Sequence, residues 1–277
     1  MTQTQTQAPA AALRERRTSW GKIFSWCMWD WGTQPFATVI TTFVFSTYIS
    51  SGSLFGTGAG DDTPAFMLGV AMAVAGVLIA LLAPVLGQGT DRSGRRMFHL
   101  RWQTWALAAV SAALWFVAPG QQYLWLGLAL LGIGNIVSEV ANVNYYAAID
   151  QVATPGNVGR VSGYGWGMGY LGGIAILLLI VAVAGSDIGP DGVRNSMLLC
   201  GAWTVLFTIP LFKAIKDRPV ASPPPRQSPV RAYRDLVGSV IRIHRVSPHT
   251  TWFLLASALF RDGLAGVFTY GAVLAKL

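Results

Sequence analysis

Five stretches of this chain contain no Asp, Glu, Lys or Arg: residues 65–87, 102–118, 123–138, 161–184 and 196–212. A bilayer's hydrocarbon core is about 30 Å thick, and roughly 20 apolar helical residues cross it. The third stretch continues through Glu139 to about residue 149. Two further apolar stretches carry ionisable groups: 23–50 with Asp30, and 250–275 with Arg261 and Asp262. Seven spanning helices are expected, in an all-α polytopic membrane protein. Composition agrees, because only 12% of the 277 residues are charged and 53% are hydrophobic. A soluble domain carries about 25% charged residues, so this chain cannot cover a water-facing surface, and a soluble enzyme is excluded. Two cysteines, Cys27 and Cys200, expected at opposite ends of the spans, exclude a disulfide-stapled scaffold.

The basic residues segregate. Arg14, Arg16, Arg17 and Lys22 precede the first span, and Arg92, Arg95, Arg96 and Arg101 follow the second. Arg160 follows the fourth, and Lys213, Lys216, Arg218, Arg226, Arg231, Arg234, Arg242 and Arg245 follow the sixth. The intervening connections hold Arg194 alone, so the tally is seventeen against one. Positive residues stay on the cytoplasmic side, which predicts a multi-pass protein of the cell membrane with its N-terminus inside. The net charge of +8 is then an orientation signal rather than a nucleic-acid footprint.

Ionisable residues recur on every third span: Asp30 on the first, Glu139 on the fourth, Arg261 and Asp262 on the seventh. A charge inside a membrane is costly and faces a bundle interior or an aqueous pathway. At 100° per residue, Asp30, Gln34, Thr38 and Thr41 share an arc of about 80°. Asn135, Glu139, Asn142 and Tyr146 share one of about 60°, and Asp262, Gly266 and Thr269 share another narrow face. Three polar stripes, each centred on a carboxylate, are read as walls of one substrate and proton pathway. That is the pattern of transporters built from three-helix repeats. Arg261 points away from its neighbour Asp262, so Asp30 or Glu139 is its expected partner. The fifth span repeats Gly165, Gly169 and Gly173 for close helix packing, while Ser162, Trp166 and Tyr170 follow the same step and present an aromatic face. Pro35 and Pro84 are expected to free backbone carbonyls near the cavity.

Gly87-Gln-Gly-Thr-Asp91-Arg92-Ser-Gly94-Arg95-Arg96 resembles the signature between the second and third helices of the major facilitator superfamily. Gly89 stands where that signature commonly has an aliphatic residue. Trp26-Cys-Met-Trp29-Asp30-Trp31-Gly-Thr-Gln-Pro35 and Ser162-Gly-Tyr-Gly-Trp166-Gly-Met-Gly-Tyr170-Leu-Gly-Gly resemble its vacuole-effluxer (autophagy-related permease) branch, as do Asn144-Tyr145-Tyr146 and Asp262-Gly263. The resemblance implies twelve helices in two six-helix halves, with Asp30 and Asp262 at equivalent positions. It also implies a cytoplasmic gate built from Gly87, Asp91, Arg92, Gly94, Arg95 and Arg96, and secondary transport of a small polar solute, with or without proton coupling. Amino acids are the solutes to which fungal members point. The chain then reads as the first half plus one helix, and either transports as it stands or needs a missing half or partner chain.

The expected organisation is a disordered tail over 1–22, a six-helix bundle over 23–212, a linker over 213–249, and a seventh span over 250–277. Pro223, Pro224 and Pro225 make part of the linker extended. Residues 230–246 read as an amphipathic helix on the inner leaflet, with Val230, Tyr233, Val237, Val240, Ile241 and His244 on one face. The expected partners are the bilayer and a small-molecule substrate, with no nucleic acid, cofactor or metal. His99, His244 and His249 show no metal-ligand spacing, and no catalytic set appears in the spans. A retinal-type seven-helix protein is disfavoured by the N-terminal orientation and by Lys276 lying at the end of the sequence.

Overall fold

The computed structural model describes residues 19–185, 188–217 and 228–274, without the side chains of 84, 87–93, 229, 265 and 268–274. Residues 1–18 of the expected tail, the proline run at 223–225, and the side chains of Gly87, Asp91, Arg92 and Thr269 lie outside the described residues. Among the described residues every regular element is helical. The first span comprises α1 (Trp20–Pro35), a π-helical stretch (Phe36–Phe43) and the short α2 (Phe45–Ile49), with α3 (Gly52–Phe55) beyond it. Then come α4 (Thr63–Ser93), α5 (Arg96–Ala113), α6 (Gln121–Ala147), α7 (Val158–Ala184), α8 (Pro190–Ala214), α9 (Pro229–Val246) and α10 (Pro248–Leu274). Helix therefore begins at Trp20, inside the segment expected to be a tail.

Four segments, Thr63–Ala83, Gln121–Gln151, Val158–Ala184 and Pro190–Ala214, are long and apolar enough to cross a membrane. At 1.5 Å per residue, the 27 residues of α7 reach about 40 Å, more than the hydrocarbon core requires. The chain is an all-α polytopic membrane protein. Helix α1 packs on α7 and α8, α5 joins α8 to α6, and α6 carries α4. Helix α10 touches α9, the π-helical stretch and α2.

Glycine permits the closest of these approaches. A Cβ on Gly172 of α7 would lie 2.6 Å from the Trp31 carbonyl oxygen, and one on Gly201 of α8 would lie 2.8 Å from that of Ala108. Both clashes are with backbone, so α1 against α7 and α5 against α8 are spaced by the missing side chains.

Pro35 has no N–H, so the Trp31 carbonyl four residues earlier loses its helical donor. Trp203 of α8 replaces it, its indole Nε1–H donating at 3.2 Å. Beyond Pro35 the ladder steps by five residues, with the Val44 amide donating to Val39 at 2.8 Å. The Thr42 hydroxyl likewise reaches back to Ala37 at 2.8 Å. The uniform 100° spacing assumed from the sequence fails over Phe36–Phe43 for this reason. Pro84 leaves the Ala80 carbonyl in the same position, and the Tyr233 hydroxyl of α9 donates to it at 3.2 Å and also to Leu81. The carbonyls expected to be freed near the cavity are taken by side chains of α8 and α9. Trp203→Phe keeps the stack on Trp31, with ring centroids 5.8 Å apart, but strands that carbonyl. The expected loss is about 1–3 kcal/mol, seen as a fall of several degrees in the melting midpoint of the purified protein; an unchanged midpoint would show that the bond is not needed.

The arginine-rich end is tied by charged groups on main-chain ends. Gly94 ends α4 in the left-handed region at φ 62°, which explains glycine at that motif position. Arg96 donates to the Ala147 carbonyl at 2.6 Å and lies 3.6 Å from Asp150, so it holds the end of α6. Asp217, just past α8, accepts the Met97 amide at 2.7 Å and the Phe98 amide at 3.1 Å, capping α5. At the opposite end, Asp61 accepts the Thr57 amide at 2.8 Å and the Thr63 amide at 2.9 Å. Hydrogen bonding from the Thr63 side chain, and then from these amides, holds the Asp61 carboxyl below the usual carboxylate range.

Candidate substrate cavity

Two adjoining cavities open between α1, α6 and α7. The larger, about 650 Å³, takes Gln34 from α1 and Thr38, Thr41 and Thr42 from the π stretch. Helix α6 contributes Asn135, Ser138, Glu139 and Asn142, and Tyr170 enters from α7. The smaller, about 170 Å³, is lined by Asp30, Gln34, Tyr146, Trp166 and Tyr170. Gln34 and Tyr170 line both, so the two spaces adjoin at these side chains.

Helical geometry accounts for the wall. Asn135, Glu139 and Asn142 are one turn apart on α6, so they share a face, and Tyr146 continues it into the smaller space. Thr41 and Thr42, neighbours on the π stretch, both border the larger cavity. The Gln34 amide donates to the Thr38 hydroxyl at 3.3 Å, fixing one polar edge. The buried Thr41 hydroxyl has no protein partner among the described residues. Asp30 lies over Gly169, where a Cβ would sit 3.0 Å from its carboxyl carbon. Glycine on α7 thus makes room for an acid on α1.

The Asn142 side chain is in hydrogen-bonding reach of the Glu139 carboxylate, and Arg261 of α10 lies within Coulombic range of it. Arg261 also acts on Tyr146, whose hydroxyl is in reach of the Trp166 side chain. Arg261 and Asp262 are both exposed and line neither cavity. Of the residues singled out from the sequence, Asp30, Gln34, Thr38, Asn135, Glu139, Asn142 and Tyr146 surround these two spaces, and the pair on α10 stands outside the walls. Ser138 and Thr42 were missed, because each lies just off the polar arc of its helix. Of the gate motif, Gly94 and Arg96 serve the turn and the α6 end described above.

A continuous polar wall inside an apolar helical bundle has the architecture of a membrane transporter. Residues 150–277 match the family model described as vacuole effluxer Atg22 like. The chain is 29% identical over 253 residues to an uncharacterized MFS-type transporter, YxiO, of Bacillus subtilis (strain 168), an alignment that covers 88% of this chain and 58% of the relative. The chain thus spans little more than half of that relative's length. No solved structure matches it. These comparisons support a membrane transporter in general.

Proposed function

We propose that the chain carries a small polar solute across the cell membrane by alternating access around the larger cavity, with its arginine-rich end in the cytoplasm. The observation that carries this reading is the convergence of Gln34, Thr38, Asn135, Ser138, Glu139 and Asn142 on one space of about 650 Å³. Solute sites of a few hundred cubic ångströms combine apolar walls with a few convergent polar groups, and Phe36, Met72, Ile174 and Leu177 supply the apolar part. Asp30 and Glu139 are the groups that would exchange protons with the cavity if transport is proton-coupled. Amino acids fit the polar lining and are the first solutes to test. A second reading, that further helices complete the transport unit, rests on α10, where Trp252, Phe253, Leu259 and Phe260 are each at least 64% exposed.

Cys27 and Cys200 are both buried, so a thiol-reactive fluorophore reports unfolding of the purified protein. Amino acids, simple amines, sugars and dicarboxylates are added singly at millimolar concentration. A solute present at 100 times its Kd stabilises by about 2.7 kcal/mol, which raises the melting midpoint by several degrees. At least one of these solutes is expected to do so, with the gain reduced in Glu139→Gln. If none shifts the midpoint, the cavity is not a solute site.

A further inference from the structure

The smaller cavity joins one acid to three aromatic rings, and only the acid was expected to act on a solute by charge. We infer that it is a recognition site for the ammonium group of an organic cation or amine, held by the Asp30 carboxylate and the rings of Tyr146, Trp166 and Tyr170. This rests on the transporter reading above and names the class of solute.

Charge is the first argument. Two acids border the adjoining cavities, Asp30 and Glu139. Glu139 has Arg261 within Coulombic range. Among the described residues Asp30 has no ion pair and no hydrogen-bond donor, and Arg261 does not act on it. A carboxylate within a membrane bundle is paired with a counter-charge or neutralised by a proton, and with no protein cation on Asp30 among the described residues a cation entering the cavity can take that place.

The second argument is the kind of wall. Trp166 is 39% exposed and Tyr170 42%, although both stand on a helix facing the bundle's polar side. Their rings meet edge to face at 5.9 Å, so the two faces point in different directions around the space. A cation over an aromatic face is drawn to the ring's negative quadrupole, and aromatic cages select substituted ammonium groups. Hard metal cations instead ask for six or more oxygen ligands, a donor set that one carboxylate among rings does not supply. Size is the third argument. About 170 Å³ admits an ammonium head, and the larger space past Gln34 and Tyr170 takes the rest of the solute, where the Thr38 and Asn135 side chains meet its polar groups.

Binding is measured by titrating tetramethylammonium, ethanolamine, succinate and glucose separately into the full chain and following the melting midpoint. The amine and the quaternary ammonium are expected to bind, and succinate and glucose are not. Asp30→Asn keeps the side chain's shape and is expected to weaken amine binding at least tenfold. Trp166→Leu is expected to weaken it threefold to thirtyfold, and Asp191→Asn, at the far end of the bundle, to leave it unchanged. The midpoint of each variant without solute shows that it is folded. Binding of succinate or glucose in preference to the amines, or unchanged amine binding in folded Asp30→Asn, overturns the ammonium site while leaving the transporter reading intact. If no solute of any class shifts the midpoint, both fall together.

Discussion

Tyr145→Ala is expected to cost about 3–5 kcal/mol, the usual loss for deleting a buried aromatic ring, while Tyr145→Phe costs nothing or stabilises. Tyr145 is fully buried on α6, with ring centroids 4.4 Å from Trp26 and 4.2 Å from Trp29, two residues of α1 that enclose it. The Trp26 indole donates to the Tyr145 carbonyl at 3.3 Å, and Trp29 donates to the Thr104 hydroxyl of α5 at 2.9 Å. One side-chain cluster thus joins α1, α5 and α6, and Gly165 of α7 closes it, since a Cβ there would meet Trp26 at 2.6 Å. Lipid tails are as apolar as the ring, so its value in this bundle lies in dispersion and close packing rather than in leaving water. The alanine variant opens a ring-sized hole that three helices would have to collapse to fill. The hydroxyl is a separate matter, because it is buried without a hydrogen-bond partner among the described residues. Removing a buried polar group that has no partner, with the shape kept, carries no penalty. Thermal melts of the two variants decide this: the phenylalanine form should melt at or above the parent, and the alanine form far below it. Equal losses in both would mean that the hydroxyl, not the ring, holds the cluster.

The bundle was largely legible from where charge is missing. Runs such as 161–184 have no way to satisfy their backbone in a membrane except as helices, and α7 follows that run closely. The stripe from Asn135 through Glu139 to Asn142 was legible for a similar reason, since a regular helix turns a spacing of three and four into a face. The first span was only half legible. Pro35 announces a lost donor, but its replacement, Trp203 donating to the Trp31 carbonyl, comes from a helix far along the chain. No local pattern encodes that contact. Asp217 was invisible for the same reason, because it caps a helix 120 residues earlier in sequence. Gly94 and Arg96 could be read as part of a motif, but the contact of Arg96 with the end of α6 had to be seen in three dimensions. The two acids lie in different compartments, Asp30 beside rings and Glu139 beside amides and hydroxyls, a distinction that helical wheels on separate spans cannot draw.

That distinction gives the second large effect: Glu139→Gln is expected to abolish solute-driven proton movement in proteoliposomes, and to weaken solute binding by roughly tenfold to a hundredfold. The affinity estimate follows from losing one charge-assisted hydrogen bond, worth about 1.5–3 kcal/mol, at 1.4 kcal/mol per factor of ten. The glutamine is close in size and keeps an acceptor toward Asn142, so the cavity wall keeps its shape and the folded state is preserved. What it loses is the capacity to take up a proton and the charge that faces Arg261. Coupling needs a group whose protonation differs between the two orientations of the cavity, and a neutral amide has only one state. Vesicles loaded with a pH-sensitive dye and supplied with the solute that stabilises the purified protein measure this directly. If Glu139 is the coupling group, the glutamine variant shows no solute-driven pH change, yet it still exchanges labelled for unlabelled solute at high concentration, because exchange moves no net proton. If Asp30 is the coupling group instead, Asp30→Asn gives that pattern and Glu139→Gln loses affinity alone. Retention of solute-driven proton movement in both variants would remove the carboxylates from the coupling step and leave them as parts of the binding wall.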